Sequence, residues 1–193
     1  MTGRARRAVP GATTILVLGA LALAHADAAD EAPWALLRAG GQVIVMRHAA
    51  TDRSLGDPPG FRLDDCSTQR NLSDEGRAQA RRVGAAFATR GIPIGRVLSS
   101  QWCRCLETAR LAFGGAEPWP ALNSFFHDRS LEAERTREVR ALVSERPATA
   151  NLVLVTHQLN IDALAGVHPR EGELVVLTPL GQGQVRVAGT MRP

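Results

Sequence analysis

Apolar residues fall into two rhythms along this chain: short unbroken runs, and longer stretches where they recur every three or four positions. Val43-Ile44-Val45-Met46 is a run of the first kind, set between Gly40-Gly41 and Arg47, and it predicts a buried strand over about 42–46. Ile92 to Ser99 and Leu152 to Thr156 read the same way, and Leu122 to Phe126, behind Pro118 and Pro120, gives a shorter third strand in chain order. Ala80, Val83, Gly84 and Phe87 recur at helical spacing behind Ser73, an N-cap followed by Asp74 and Glu75, so a helix runs from there to Arg90. Further helices are predicted over 33–39, 102–112, 131–145 and 161–165, and two last strands over 173–178 and 184–187 around Gly181-Gln182-Gly183. Ala50 to Arg70, with Gly56-Asp57-Pro58-Pro59-Gly60 inside it, reads as a loop. Strands alternating with helices predict an α/β fold in one domain, with a mainly parallel central sheet covered on both faces.

In open α/β sheets, ligands bind beyond the carboxyl ends of the strands. The first run ends in Arg47-His48, the run to Thr156 ends in His157, and Val97-Leu98-Ser99-Ser100 leads into Arg104. Two imidazoles and two guanidiniums therefore meet at three predicted strand ends, which points to a pocket that handles phosphate. A surface ion pair is the ordinary fate of an Arg, and a buried His satisfied by backbone is an ordinary core residue; the shared location argues against both.

These elements resemble the histidine phosphatase superfamily, with its phosphoglycerate mutase-like α/β/α sandwich. Arg47-His48, Arg104 followed by Glu107-Thr108-Ala109, Arg70-Asn71-Leu72-Ser73 with Gly76, and Thr156-His157 stand in the order of that family over nearly all the chain after Gly40. Ala49 departs from it, standing where the family usually has Gly. The resemblance implies a phosphomonoester hydrolase in which His48 attacks phosphorus and forms a phosphohistidine, without metal or other cofactor. Arg47, Arg104 and His157 would bind the phosphoryl oxygens; Thr51 and Arg70 are further candidates, against readings as a turn residue and a solvated loop cation. Glu107 is expected to form a supporting ion pair with Arg104. A carboxylic acid must protonate the leaving group, and the family's usual position places Asp128 first, Glu132 next and Asp52 third. Asp128 could equally be the N-cap of the helix near Leu131. A phosphoryl-transferring mutase and a non-catalytic module for phosphorylated ligands are the alternatives, and fold alone does not separate them.

Composition refines this picture. Arg4, Arg6 and Arg7, an apolar Ile15 to Ala24 and small residues at Ala24-His25-Ala26 or Ala26-Asp27-Ala28 read as a secretory signal over 1–26, leaving a domain over 27–193 in the periplasm or outside the cell. The apolar stretch is short of the ~20 residues that span a membrane. Removing those three arginines lowers the formal net charge from +4 to +1, and no basic run with interleaved aromatics suggests nucleic acid. The expected partner is a small phosphorylated substrate or a phosphorylated envelope component. Cys66 is expected to pair with Cys103 or Cys105, tethering the long loop beside Arg104, and the cysteine spacing fits no metal motif.

Overall fold

The computed structural model describes residues 31–52 and 57–193, and Pro33–Pro193 form one compact unit. The proposed signal over 1–26 lies outside the described residues. In chain order the elements are α1 (31–39), β1 (Val43–Arg47), α2 (Asp74–Thr89), β2 (Ile94–Ser99), α3 (Cys103–Phe113), β3 (Glu117–Pro118), α4 (Glu132–Val143), β4 (Asn151–Thr156), α5 (Gln158–Ala165), β5 (Leu174–Gly181) and β6 (Gln184–Met191). Among the described residues no helix is long and apolar enough to cross a membrane.

The strands form a single sheet in the order β3-β2-β4-β1-β5-β6. Its centre is parallel, with β1 and β2 flanking β4; β5 and β6 join as an antiparallel edge. Strand side chains alternate between faces, and the two cores follow that alternation. Ile44 and Met46 pack with Val83 and Phe87 of α2 and Cys105 and Ala109 of α3. Val43 and Val45 pack with Val139 and Val143 of α4 and Ile161 and Leu164 of α5. The result is the expected three-layer α/β/α sandwich. β1 and β4 are buried almost throughout, as strands covered on both faces must be.

Ser73 caps α2 by accepting from Gly76 N–H, and Gly76 is required there for a second reason. A Cβ on it would lie 1.9 Å from the Ala50 carbonyl oxygen, so only glycine lets α2 approach the loop after β1.

Two expectations need correction. Leu122 to Phe126 is not a strand: Pro120–Leu122 form a 3₁₀ turn, and the third strand is the two-residue β3. Leu122 and Phe125 are instead anchors, fully buried from irregular backbone. The closing strands are also longer than predicted. Gln182 and Gly183 both have positive φ, the conformation of a tight hairpin turn, and the ladder continues on either side of them.

Candidate active site

β1 and β4 run parallel with Arg47 opposite Thr156, so the residues that follow them, His48 and His157, emerge side by side with ring centroids 5.5 Å apart. The backbone of the first pair is held from several directions. His48 N–H donates to the Thr156 carbonyl at 3.0 Å, and Gly172 N–H donates to the His48 carbonyl at 3.0 Å. Ala49 is fully buried; its N–H donates to Thr108 Oγ1 at 3.0 Å, and its φ is not positive, so a methyl is tolerated where the family usually has glycine.

His48 is 3% exposed, and its Nδ1–H donates to the Ala49 carbonyl at 2.9 Å. A carbonyl only accepts, so this bond fixes the tautomer and leaves the lone pair on Nε2. Burial, then the positive charge of Arg104, holds the imidazole well below its ordinary titration range, with Arg47 and Arg70 acting in the same direction. His48 is therefore neutral at physiological pH and lines an open cleft of about 520 Å³.

Arg47, Arg70 and Arg104 line the same cleft. Arg47 Nη1 donates to Gln158 Oε1 at 2.8 Å and to the Pro169 carbonyl at 3.0 Å, fixing the guanidinium across the sheet end. Arg104 is held by Asp57, which accepts from Nη1 at 2.8 Å and from Nη2 at 3.3 Å, and its guanidinium carbon lies 4.3 Å from the Trp102 ring centroid. Asp57 also accepts from Arg70 N–H at 3.3 Å, so one carboxylate locates both loop and helix arginines. The Nε groups of Arg70 and Arg104 are buried without a hydrogen-bond partner. Buried donors of this kind are rare unless a ligand supplies the acceptor.

His157 is buried by β4 and α5, with Nε2 2.9 Å from Ser100 Oγ and 3.5 Å from Cys105 Sγ. Ser100 Oγ also lies 3.1 Å from Asn123 Oδ1, so a serine and an asparagine orient the second imidazole from behind. Burial and Arg104 lower its titration as they do that of His48. Burial pushes the Cys105 thiol up to about 12, which leaves it an inert packing group at neutral pH.

The structure thus gathers Arg47, His48, Arg70, Arg104 and His157 in one cleft. It does not place Thr51 or Asp128 there. The Thr51 hydroxyl donates to Glu171 Oε1 at 3.0 Å, the oxygen that lies 3.9 Å from Arg47 Nη2, and Thr51 itself does not line the cleft. Asp128 is exposed and caps the 3₁₀ turn Arg129–Leu131, accepting from Ser130 N–H at 3.0 Å. Hydrogen bonds from the Ser130 hydroxyl and backbone hold its carboxyl below the usual range, opposite to what a proton donor needs. In this structure Asp128 serves as the cap of that turn. Glu132 pairs with Arg129 and Asp52 is exposed, and neither lines the cleft. Glu107 pairs with Arg77 of α2 at 2.9 Å and not with Arg104. Cys66 pairs with Cys103, leaving Cys105 free.

Four contributors carry little signal in the sequence. Asp57 sits inside a Gly/Pro-rich turn, and its partner Arg104 lies 47 residues away. Ser100 and Asn123 carry no motif of their own. His127 has no distinctive sequence setting, yet it lines the cleft with Trp102 and Phe126.

A neutral imidazole nitrogen among three guanidiniums is suited to a tetrahedral dianion. The sequence pattern of the histidine phosphatase superfamily (branch 1) matches residues 43–132, which carry Arg47-His48, Arg70 and Arg104. Over those residues the chain is similar to the histidine phosphatase superfamily. No curated protein matches the chain. Among solved structures, the chain is similar to the protein histidine phosphatase SixA complexed with tungstate: TM-score 0.57, 19% identity, 79% of this chain and 97% of that one. It is similar also to the product of the open reading frame Rv3214 of Mycobacterium tuberculosis, with TM-score 0.56, 19% identity and coverage of 77% and 95%. TTHB049 of Thermus thermophilus aligns with TM-score 0.50, 21% identity and coverage of 79% and 99%. These likenesses show that the fold shared with those structures extends past residue 132 to β4 and His157.

Proposed function

We propose that this protein is a phosphatase that hydrolyses phosphomonoesters through a covalent phosphohistidine on His48, without a metal, outside the cytosol. The observation that carries the reading is the His48 ring. Its Nδ1–H is spent on the Ala49 carbonyl, its Nε2 lone pair remains, and it lines a cleft shared with three guanidiniums. Nε2 attacks phosphorus, the phosphorus–oxygen bond to the alcohol breaks, and the leaving oxygen takes a proton from solvent in the open cleft, which the attacking water returns in the second step. Water then attacks the phosphohistidine, releasing inorganic phosphate and restoring His48. The Ala49 carbonyl stabilises the positive charge that the ring takes up, and Arg47, Arg70 and Arg104 offset the charge on the phosphoryl oxygens. Arginine forks do here the electrostatic work that metal ions do in other phosphoryl-transfer sites.

Export is supported by the signal-like pattern of residues 1–26 and by the Cys66–Cys103 disulfide, since such bonds persist in oxidising compartments. The exported chain is expected to begin at Asp27 or Ala29, read by mass spectrometry. Mixing the protein with a ³²P-labelled phosphomonoester and quenching in alkali should trap acid-labile label on His48. Undiminished turnover by His48→Ala would overturn the mechanism.

A further inference from the structure

The cleft has a second wall that phosphate chemistry does not use. Trp102, Phe126 and His127 line it beside Arg104. The rings form a continuous set: Phe61 to Trp102 at 4.3 Å, Phe61 to His127 at 5.4 Å, and Phe126 to His127 at 5.2 Å, edge to face. Trp102 and His127 are nearly parallel, 16° apart, with centroids at 6.4 Å. These separations are those of interacting aromatic pairs.

Phe126 stands out within this set because it is 69% exposed. A scattered exposed apolar residue is ordinary, but Phe126 lies on the cleft and continues a wall whose inner member, Trp102, is 3% exposed. Its neighbour Phe125 is 1% exposed and anchors the segment in the interior, so the backbone holds Phe126 outward on a fixed base. The Cys66–Cys103 disulfide joins the loop of Phe61 to the turn of Trp102, which fixes the two halves of the wall to each other. The cleft also carries Gln158 and Leu159, and its one lining carboxylate among the described residues, Asp57, is paired with Arg104.

We infer that this wall is the subsite for the organic part of the substrate, and that it selects phosphomonoesters carrying an uncharged planar ring, which packs in the corner between Phe126 and His127 while the phosphoryl group sits among the arginines. The inference rests on the phosphatase reading for the phosphoryl position and adds the class of the group attached to it. A flat ring covers Phe126 and recovers the apolar surface it exposes to water. A sugar or short alkyl group leaves that surface wet.

Equilibrium binding of two non-hydrolysable phosphonates separates these cases without requiring turnover. By calorimetry on the purified protein, 2-phenylethylphosphonate should bind about 10-fold more tightly than ethylphosphonate, the scale of one good aromatic contact plus its buried area. Phe126→Ala should reduce the ratio to below about 2-fold and leave the ethylphosphonate affinity unchanged, whereas Phe126→Trp should keep the preference. Phe126 is exposed, so neither change threatens folding. Equal affinity of the two phosphonates in the unaltered protein, or an unchanged ratio in Phe126→Ala, overturns the inference alone. Failure of both phosphonates to bind overturns the phosphoryl site, and the inference with it.

Discussion

Asp57 and Asp128 are both short acids on irregular backbone, and at the scale of single residues their partners give them different roles. Asp57 grips Arg104 with two hydrogen bonds on the cleft wall, while Asp128 bonds to Ser130 at the surface. The bonds from Ser130 oppose a protonated Asp128, and Asp57 is the sole carboxylate among the described residues that line the cleft. Asp128→Asn should therefore leave kcat unchanged on both an alkyl phosphate and p-nitrophenyl phosphate, with only a small loss of thermal stability from the weaker cap. A selective loss on the alkyl substrate would restore Asp128 as proton donor. Arg104→Ala has the opposite expectation, a loss of ~10²-fold in kcat/KM, the scale of one preorganised charge-stabilising donor. It carries a second signature. The Arg104 charge lowers the His48 titration, so removing it raises that pKa toward the ordinary value. The acid limb of kcat/KM should then move to higher pH in the variant. An unmoved limb would mean that Arg104 acts by binding alone.

At the scale of elements, the described residues of the loop between β1 and α2 supply two of the cleft's charged groups. Asp57 and Arg70 both lie on it, and the disulfide from Cys66 ties it to the first residue of α3, next to Arg104. Gln69 reinforces the joint, its Oε1 accepting from Cys103 N–H at 2.9 Å. The bridge spans a sequence separation of 37, for which the chain-entropy model gives about 4 kcal/mol of stabilisation at 25 °C. Cys66→Ser/Cys103→Ser should lower the melting temperature and raise KM through a displaced Arg70, more than it lowers kcat, because His48 hangs from β1 and is not part of the joint. Equal KM values for the variant and the disulfide form would show that the loop is placed without the bridge. The existence of a bridge is legible in the sequence but its partner is not, since Cys103 and Cys105 both start α3. Helical geometry separates them. Cys105 turns into the core against His157, and Cys103 faces the loop.

Across the whole molecule, the parts legible in the sequence are those set by local period: the apolar runs of β1 and β4, the amphipathic α2, and the histidines and arginines at strand ends. What stays hidden depends on pairings between distant residues, such as Asp57 with Arg104, Thr51 with Glu171, and the ring wall from Phe61 to His127. The Leu122 to Phe126 run resembles a strand because burial by irregular backbone has the same composition as burial in a sheet. Burying two imidazoles among three guanidiniums also has a consequence for stability. Both His48 and His157 titrate well below the ordinary imidazole value of about 6.5, which they regain on unfolding. Between the folded and unfolded values the unfolded chain binds more protons, so acid favours unfolding there. This stability is fully present above pH ~6.5 and is lost as pH falls from there toward the folded values. Asp65, Glu117 and Asp128, whose carboxyls are held low, add their own loss only in the more acidic carboxylate range. The melting temperature should therefore fall steadily from pH 7 to pH 5, before those carboxylates protonate. His48→Ala should reduce the slope of that fall whatever it does to the melting temperature itself, because one of the two titrating rings is gone. A flat profile over that window, or an unchanged slope in the variant, would show that His48 is not held neutral by its surroundings.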